Sequence, residues 1–177
     1  MRKAPLVLSV VAVCVFGLLA SAVGQAAVMR PSETLRLSGT LPATLKESKC
    51  PPGVPVMTRG SITPCYLAVA RGTLPGLGKV SDRRIVVILD PVAECANIKF
   101  NMALTVRTKG TISGEAATKR CFDKSGTAVV PFKITGGTGA FTGATGSGTI
   151  TLGEPQETGD GHHVETETWK GKLTVPA

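Results

Sequence analysis

One short segment near the C-terminus carries the side chains best suited to acid–base chemistry. His163, Glu165 and Glu167 share parity with the downstream apolar residues Trp169 and Leu173. In an unbroken β-strand, residues of one parity point to one face, so an unbroken strand would place these three polar side chains on the core side. Buried carboxyls have raised pKa values and can act as general acids or bases. The same trio could also hold a divalent metal.

A simpler interpretation, in which these side chains are solvated, is the one we favour. Gly159-Asp160-Gly161 marks a turn, and acidic residues at the start of a strand are usually solvated. A β-bulge would reverse the parity and turn the carboxylates outward. Tyr66 is a further candidate acid, although a lone tyrosine is more often a packed residue with a bonded hydroxyl. We therefore assign no catalytic residue and keep Glu165, Glu167 and Tyr66 only as candidates, and we assign no metal site and no cofactor.

The elements that must position these residues follow a two-residue period. Apolar and polar side chains alternate from Ile98 to Val106, and again from Val130 to Ile134. No segment offers ten residues of helical period, which argues against a parallel βαβ arrangement. Strands of ten residues span about 33 Å, which suits a barrel better than a small sandwich. We therefore predict an all-β, antiparallel closed barrel of about eight strands. Its ligand cavity is expected to be lined by Phe100, Met102, Leu104, Phe132 and Trp169.

A glycine-rich segment covers residues 132–150. Its first half imitates a nucleotide-binding loop, but Thr142 stands where the glycine spacing requires Gly, and no helix former follows. We therefore interpret Gly136, Gly137 and Gly139 as a structural turn that uses positive φ angles. Phe141 is then expected to plug one end of the barrel.

The pattern of a strand, then Gly-Gly-Thr-Gly-x-Phe-x-Gly-Ala-x-Gly-x-Gly, then another strand resembles the allene oxide cyclase/dirigent-like β-barrel superfamily. A closing strand like Trp169-Lys-Gly-Lys-Leu-Thr-Val175 narrows the resemblance to the small secreted bacterial members. The resemblance implies an eight-stranded antiparallel barrel with a mostly apolar cavity. Plant members isomerise an epoxide fatty acid or direct phenoxy-radical coupling with polar residues inside the barrel. Those residues have no one-to-one match in this sequence.

The N-terminus has the pattern of a targeting segment. Arg2 and Lys3 precede an apolar run and then small residues that offer cleavage near Ala22 or Ala26. We predict a signal peptide at 1–27, a single domain at 28–177 and an extracellular location with no membrane span after cleavage. An uncleaved anchor is the alternative. Loss of Arg2 and Lys3 reduces the net charge from +8 to +6. The remaining basic residues are scattered and not interleaved with aromatics, which argues against nucleic-acid binding.

Four cysteines remain after the signal peptide, and an even number in an oxidising compartment predicts two disulfides. The favoured pairs are Cys50–Cys65 and Cys95–Cys121. If Lys109-Gly110 forms a two-residue hairpin turn, residue 98 lies opposite residue 121, so Cys95 lies only a few residues from Cys121 across the ladder. A zinc site is the rival interpretation, but no C-x-x-C spacing supports it.

The sequence supports three functional hypotheses. The leading one is a secreted, non-catalytic binding or structural barrel whose apolar cavity holds a small hydrophobic ligand. The second is an isomerase or dirigent-type enzyme that acts on a hydrophobic small molecule with Glu165, Glu167 or Tyr66. The third is a cell-surface interaction module. The oligomeric state does not follow from the sequence.

Overall fold

A computed structural model describes residues 32–55, 57–58, 61–92, 95–121 and 127–177. The predicted signal peptide and both cleavage positions lie outside the described residues. Within them, the chain forms eleven strands and one 3₁₀ turn, Gly139–Phe141. The strands are β1 (Glu33–Ser48), β2 (Met57–Thr58), β3 (Ser61–Ile62), β4 (Cys65–Leu74), β5 (Gly78–Val92), β6 (Cys95–Val106), β7 (Gly110–Cys121), β8 (Ala128–Gly137), β9 (Thr145–Leu152), β10 (Gln156–Glu157) and β11 (His162–Val175).

Eight of these strands close into one antiparallel barrel. Its order is β1-β4-β5-β6-β7-β8-β9-β11, and β11 pairs with β1 to complete the ring. The short β10 adds to β11, while β2 and β3 form a separate hairpin. The predicted closed, all-β barrel is confirmed. Over the described part of the chain, no helix is long and apolar enough to span a membrane.

Alternation places one side of each strand in the barrel interior. From Ala96 to Val106, β6 alternates strictly between buried and exposed residues, and β8 does so from Ala128 to Thr135. The interior aromatics pack together: the Phe132 and Trp169 rings have centroids 5.6 Å apart. All five residues predicted to line a ligand cavity are buried in this core: Phe100, Met102, Leu104, Phe132 and Trp169.

One end of the barrel is closed by side chains from connecting loops. Leu77 and Phe141 lie on two of these loops, and both are buried in the core. The glycine segment is not a tight turn, because seven residues (138–144) connect β8 to β9. Gly139 has φ +59, and a Cβ there would collide with the Lys109 carbonyl. Glycine at this position therefore lets the loop lie directly on the β6–β7 turn.

The register between β6 and β7 differs from the sequence-based prediction. Val106 pairs with Gly110 and Cys95 lies directly opposite Cys121, so the turn has three residues (107–109) rather than two. Residue 98 consequently lies opposite Thr118, not residue 121. The Cys50–Cys65 disulfide is confirmed. Cys95 is also disulfide-bonded, and the favoured pairing with Cys121 stays a prediction that this register supports.

Candidate functional site

The barrel interior contains a charged cluster centred on Arg84. Its guanidinium forms ion pairs with Asp82 and Glu167, and all three side chains are almost fully buried. Glu167 also accepts a hydrogen bond from Trp169 Nε1 at 3.2 Å, and Asp82 accepts one from the Ala103 backbone N–H at 3.1 Å. Burial alone would lower the pKa of Arg84, but the two carboxylates raise it above its ordinary value. Arg84 is therefore held as a cation.

Small residues on the neighbouring strands make room for these long side chains. A buried alanine occupies the paired position directly across the ladder, as in Glu165 opposite Ala43, Arg84 opposite Ala68 and Asp82 opposite Ala70. The Arg84 guanidinium also lies 4.4 Å from the centre of the Phe100 ring, which contributes a cation–π interaction. The interior is therefore built around the charges.

A second pair, Arg120 and Glu165, lies nearer the end opposite Phe141. Arg120 Nη1 is 3.7 Å from Glu165 Oε2, and Arg120 Nη2 donates a hydrogen bond to the Gly153 carbonyl at 3.0 Å. Burial raises the pKa of Glu165 from 4.5 to about 7; the Glu167 charge adds to this shift and Arg120 opposes it. Glu165 can therefore gain or lose a proton near neutral pH.

A cavity of about 160 Å³ opens at this end of the barrel. Its volume is close to the roughly 150 Å³ of an engineered apolar cavity that holds benzene, so it fits one six-membered ring. Most of the wall is apolar, and its polar groups come from five side chains. The lining residues are Leu45, Tyr66, Arg84, Val86, Ile88, Ile98, Arg120, Leu152, Pro155, His163 and Glu165.

The structure separates the three catalytic candidates. Glu165 and Tyr66 line the cavity, and the Tyr66 ring stands edge-on to His163 with centroids 6.5 Å apart. Glu167 does not line it, because its carboxylate is occupied by Arg84 and Trp169. The favoured interpretation from the sequence, that Glu165 and Glu167 are solvated, is wrong, since both are buried. In the described ranges, no group of three His, Cys, Asp or Glu side chains could hold a metal ion.

Sequence reasoning missed Asp82, Arg84 and Arg120. A signal existed for the first two, because they share parity with Val80 and Val86 on the buried side of β5. Because Ile85 on the opposite side of β5 is also apolar, the sequence does not show which side of this strand is buried. The predicted cavity residues are core residues, and the cavity is lined by other side chains.

No family model matches this sequence, and neither does any curated protein. Among solved structures, the chain is similar to the pterocarpan synthase dirigent protein GePTS1, with a TM-score of 0.50, 11% identity, and 82% of this chain and 87% of that chain covered. It is also similar to the pterocarpan synthase dirigent protein PsPTS1, with a TM-score of 0.46, 11% identity, and coverage of 84% and 98%. The first likeness supports a dirigent-like barrel fold. The allene oxide cyclase link and the bacterial origin stay predictions.

Proposed function

We propose that this protein is a secreted barrel that binds a small molecule without turnover and holds one apolar, ring-sized part of that molecule in the cavity. The observation that carries this proposal is the cavity itself: a mostly apolar pocket with Tyr66, Arg120 and Glu165 in its wall. Pockets of this composition are typical of small-molecule sites. The dirigent-like fold shared with GePTS1 is consistent with it. The disulfides agree with an extracellular location.

Two measurements test this binding function. Native mass spectrometry of the protein purified from its own culture medium is expected to show a retained small molecule. Titration with toluene and with cyclohexanol, followed by NMR of the Ile98 and Leu152 methyl groups, is expected to give saturable shifts because both residues line the cavity. If mass spectrometry shows no retained molecule and the titrations give no saturable shift, the cavity is excluded as a binding site.

A cavity-filling substitution localises the binding. Ile88→Phe places a ring in the cavity wall, and we expect it to weaken cyclohexanol binding by at least about tenfold, or about 1.4 kcal/mol. Ile85→Phe is the matched control, since Ile85 lies on the same strand and does not line this cavity. Equal affinities in the two variants would mean that the probe binds elsewhere.

A second candidate function is proton-transfer catalysis, and the pKa of about 7 at Glu165 favours it. A carboxylate poised near neutral pH in an apolar wall is suited to act as a general base. We expect the protein to accelerate the base-catalysed ring opening of 5-nitrobenzisoxazole, with a rate that rises through pH 7. Glu165→Gln should abolish this acceleration. An unchanged rate in that variant, or a wild-type rate no faster than that of buffer alone, would exclude Glu165 as an accessible base.

A further inference from the structure

Towards the Phe141 end of the barrel, the outward side of β8, β9, β11 and β1 is strongly basic. We call this part the basic face; Lys46 on β1 and the exposed Val164 on β11 also point outward but lie nearer the other end. The basic face contains four exposed cations, and at the outward positions described on these strands there is no carboxylate. Glu115 lies at its border, on β7 opposite Lys133. Hydroxyl side chains fill most of the remaining positions. The basic face consists of Thr34, Arg36, Ser38, Thr40, Val129, Pro131, Lys133, Thr145, Ser147, Thr149, Thr151, Thr168, Lys170, Lys172 and Thr174.

Pairing across the strands brings the cations together. Arg36 lies directly opposite Lys172, which in turn pairs with Ser147, the partner of Lys133. The pairings therefore place three cations in one row across four strands, about 14 Å wide at about 4.8 Å per strand. Lys170 lies in the adjacent row, on the same side of β11 as Lys172.

This arrangement is unfavourable in the protein alone. Like charges directly opposite each other in a sheet are destabilising, and Arg36 and Lys172 form such a pair. A shallow depression of about 470 Å³ lies between the cations, lined also by Ser38, Thr149 and glycine backbone. An anionic partner bound in this depression would relieve the repulsion among the cations.

The chemistry of the basic face favours a glycan over a membrane or a nucleic acid. Only one of its residues, Val129, is a large exposed hydrophobic side chain, so the face has little to insert into a bilayer. It carries no aromatic side chain on which a base could stack. Its serine and threonine hydroxyls can both donate and accept hydrogen bonds, as sugar hydroxyls require.

We propose that the basic face binds a linear acidic polysaccharide, with its carboxylate groups held by Arg36, Lys170, Lys172 and Lys133. This surface lies on the outside of the barrel, so its occupancy is independent of the cavity. Such binding would hold the protein on an anionic extracellular matrix or cell wall.

The test compares two variants with the same loss of charge on immobilised polygalacturonate. The basic-face variant carries the substitutions Arg36→Gln, Lys133→Gln, Lys170→Gln and Lys172→Gln. The matched variant carries Arg71→Gln, Lys79→Gln, Arg83→Gln and Lys99→Gln, all exposed residues on β4, β5 and β6 on the other side of the ring. We expect the basic-face variant to bind about tenfold more weakly and the matched variant to bind like the wild type. Thermal unfolding of both verifies that they fold.

Three results would overturn this proposal. An equal loss in both variants would mean diffuse attraction rather than a site. Absence of wild-type binding to polygalacturonate would exclude an acidic polysaccharide of this class. Tighter binding to phosphatidylglycerol-containing vesicles than to polygalacturonate would assign the surface to a membrane instead. A separate readout follows from the repulsion between Arg36 and Lys172. Because Arg36→Gln removes this repulsion and one ligand-binding cation, it should raise the unfolding temperature and lower glycan binding.

Discussion

Replacing Arg84 with methionine is expected to lower the free energy of unfolding by about 3–5 kcal/mol. The substitution keeps an apolar stem of similar length but leaves Asp82 and Glu167 as buried carboxylates without their cation. It also removes the contact with the Phe100 ring. Urea denaturation followed by the fluorescence of Trp169, the only tryptophan of the chain, measures the change.

The adjacent residue supplies the control for Arg84. Arg83 is exposed on the outside of the same strand, so Arg83→Met should change stability by no more than about 0.5 kcal/mol. A triple variant, Asp82→Asn with Arg84→Met and Glu167→Gln, removes all three charges and should be more stable than Arg84→Met alone. If Arg84→Met costs no more than Arg83→Met, the ion pairs contribute nothing to the fold.

The two-residue period predicted the barrel because burial alternates wherever one face of a strand is packed. The same period would place Glu165 and Glu167 in the interior for an unbroken β11, but the interpretation favoured from the sequence, that both are solvated, is wrong. The period could not reveal their different roles. These depend on Arg84 and Arg120, which reach them from strands distant in sequence.

The error in the β6–β7 turn shows why register is harder to predict than strand identity. A Lys109-Gly110 turn predicts pairs that sum to an odd number, whereas the observed pairs sum to an even number. An odd shift turns every side chain of β7 to the other face, and Arg120 would then point outward. Gly110 suggested a tight turn, but a Cβ there would collide with the Thr138 carbonyl. That contact is long-range and is invisible in the local sequence.

Deprotonation of Glu165 is expected to lower the stability of this protein as the pH rises from about 4.5 to about 7. Burial raises the pKa of this carboxyl from 4.5 to about 7, with the Glu167 charge in support and Arg120 opposed. Between these two pH values the folded protein keeps a proton that the unfolded chain has released. The free energy of unfolding therefore decreases by about 1.4 kcal/mol per pH unit. Over the whole interval the loss is about 3 kcal/mol.

Glu165→Gln isolates this contribution because its side chain is neutral at every pH. Urea denaturation at pH 5 and pH 8 is expected to show the variant gaining about 2.5 kcal/mol on the wild type between the two values. Glu115→Gln, at an exposed position on β7, should instead follow the wild type. If the wild type and Glu165→Gln show the same pH dependence, the Glu165 carboxyl is ionised over the whole range from pH 5 to pH 8. A Glu165 carboxylate that is already ionised at pH 5 would also give no rate increase through pH 7 in the ring-opening assay.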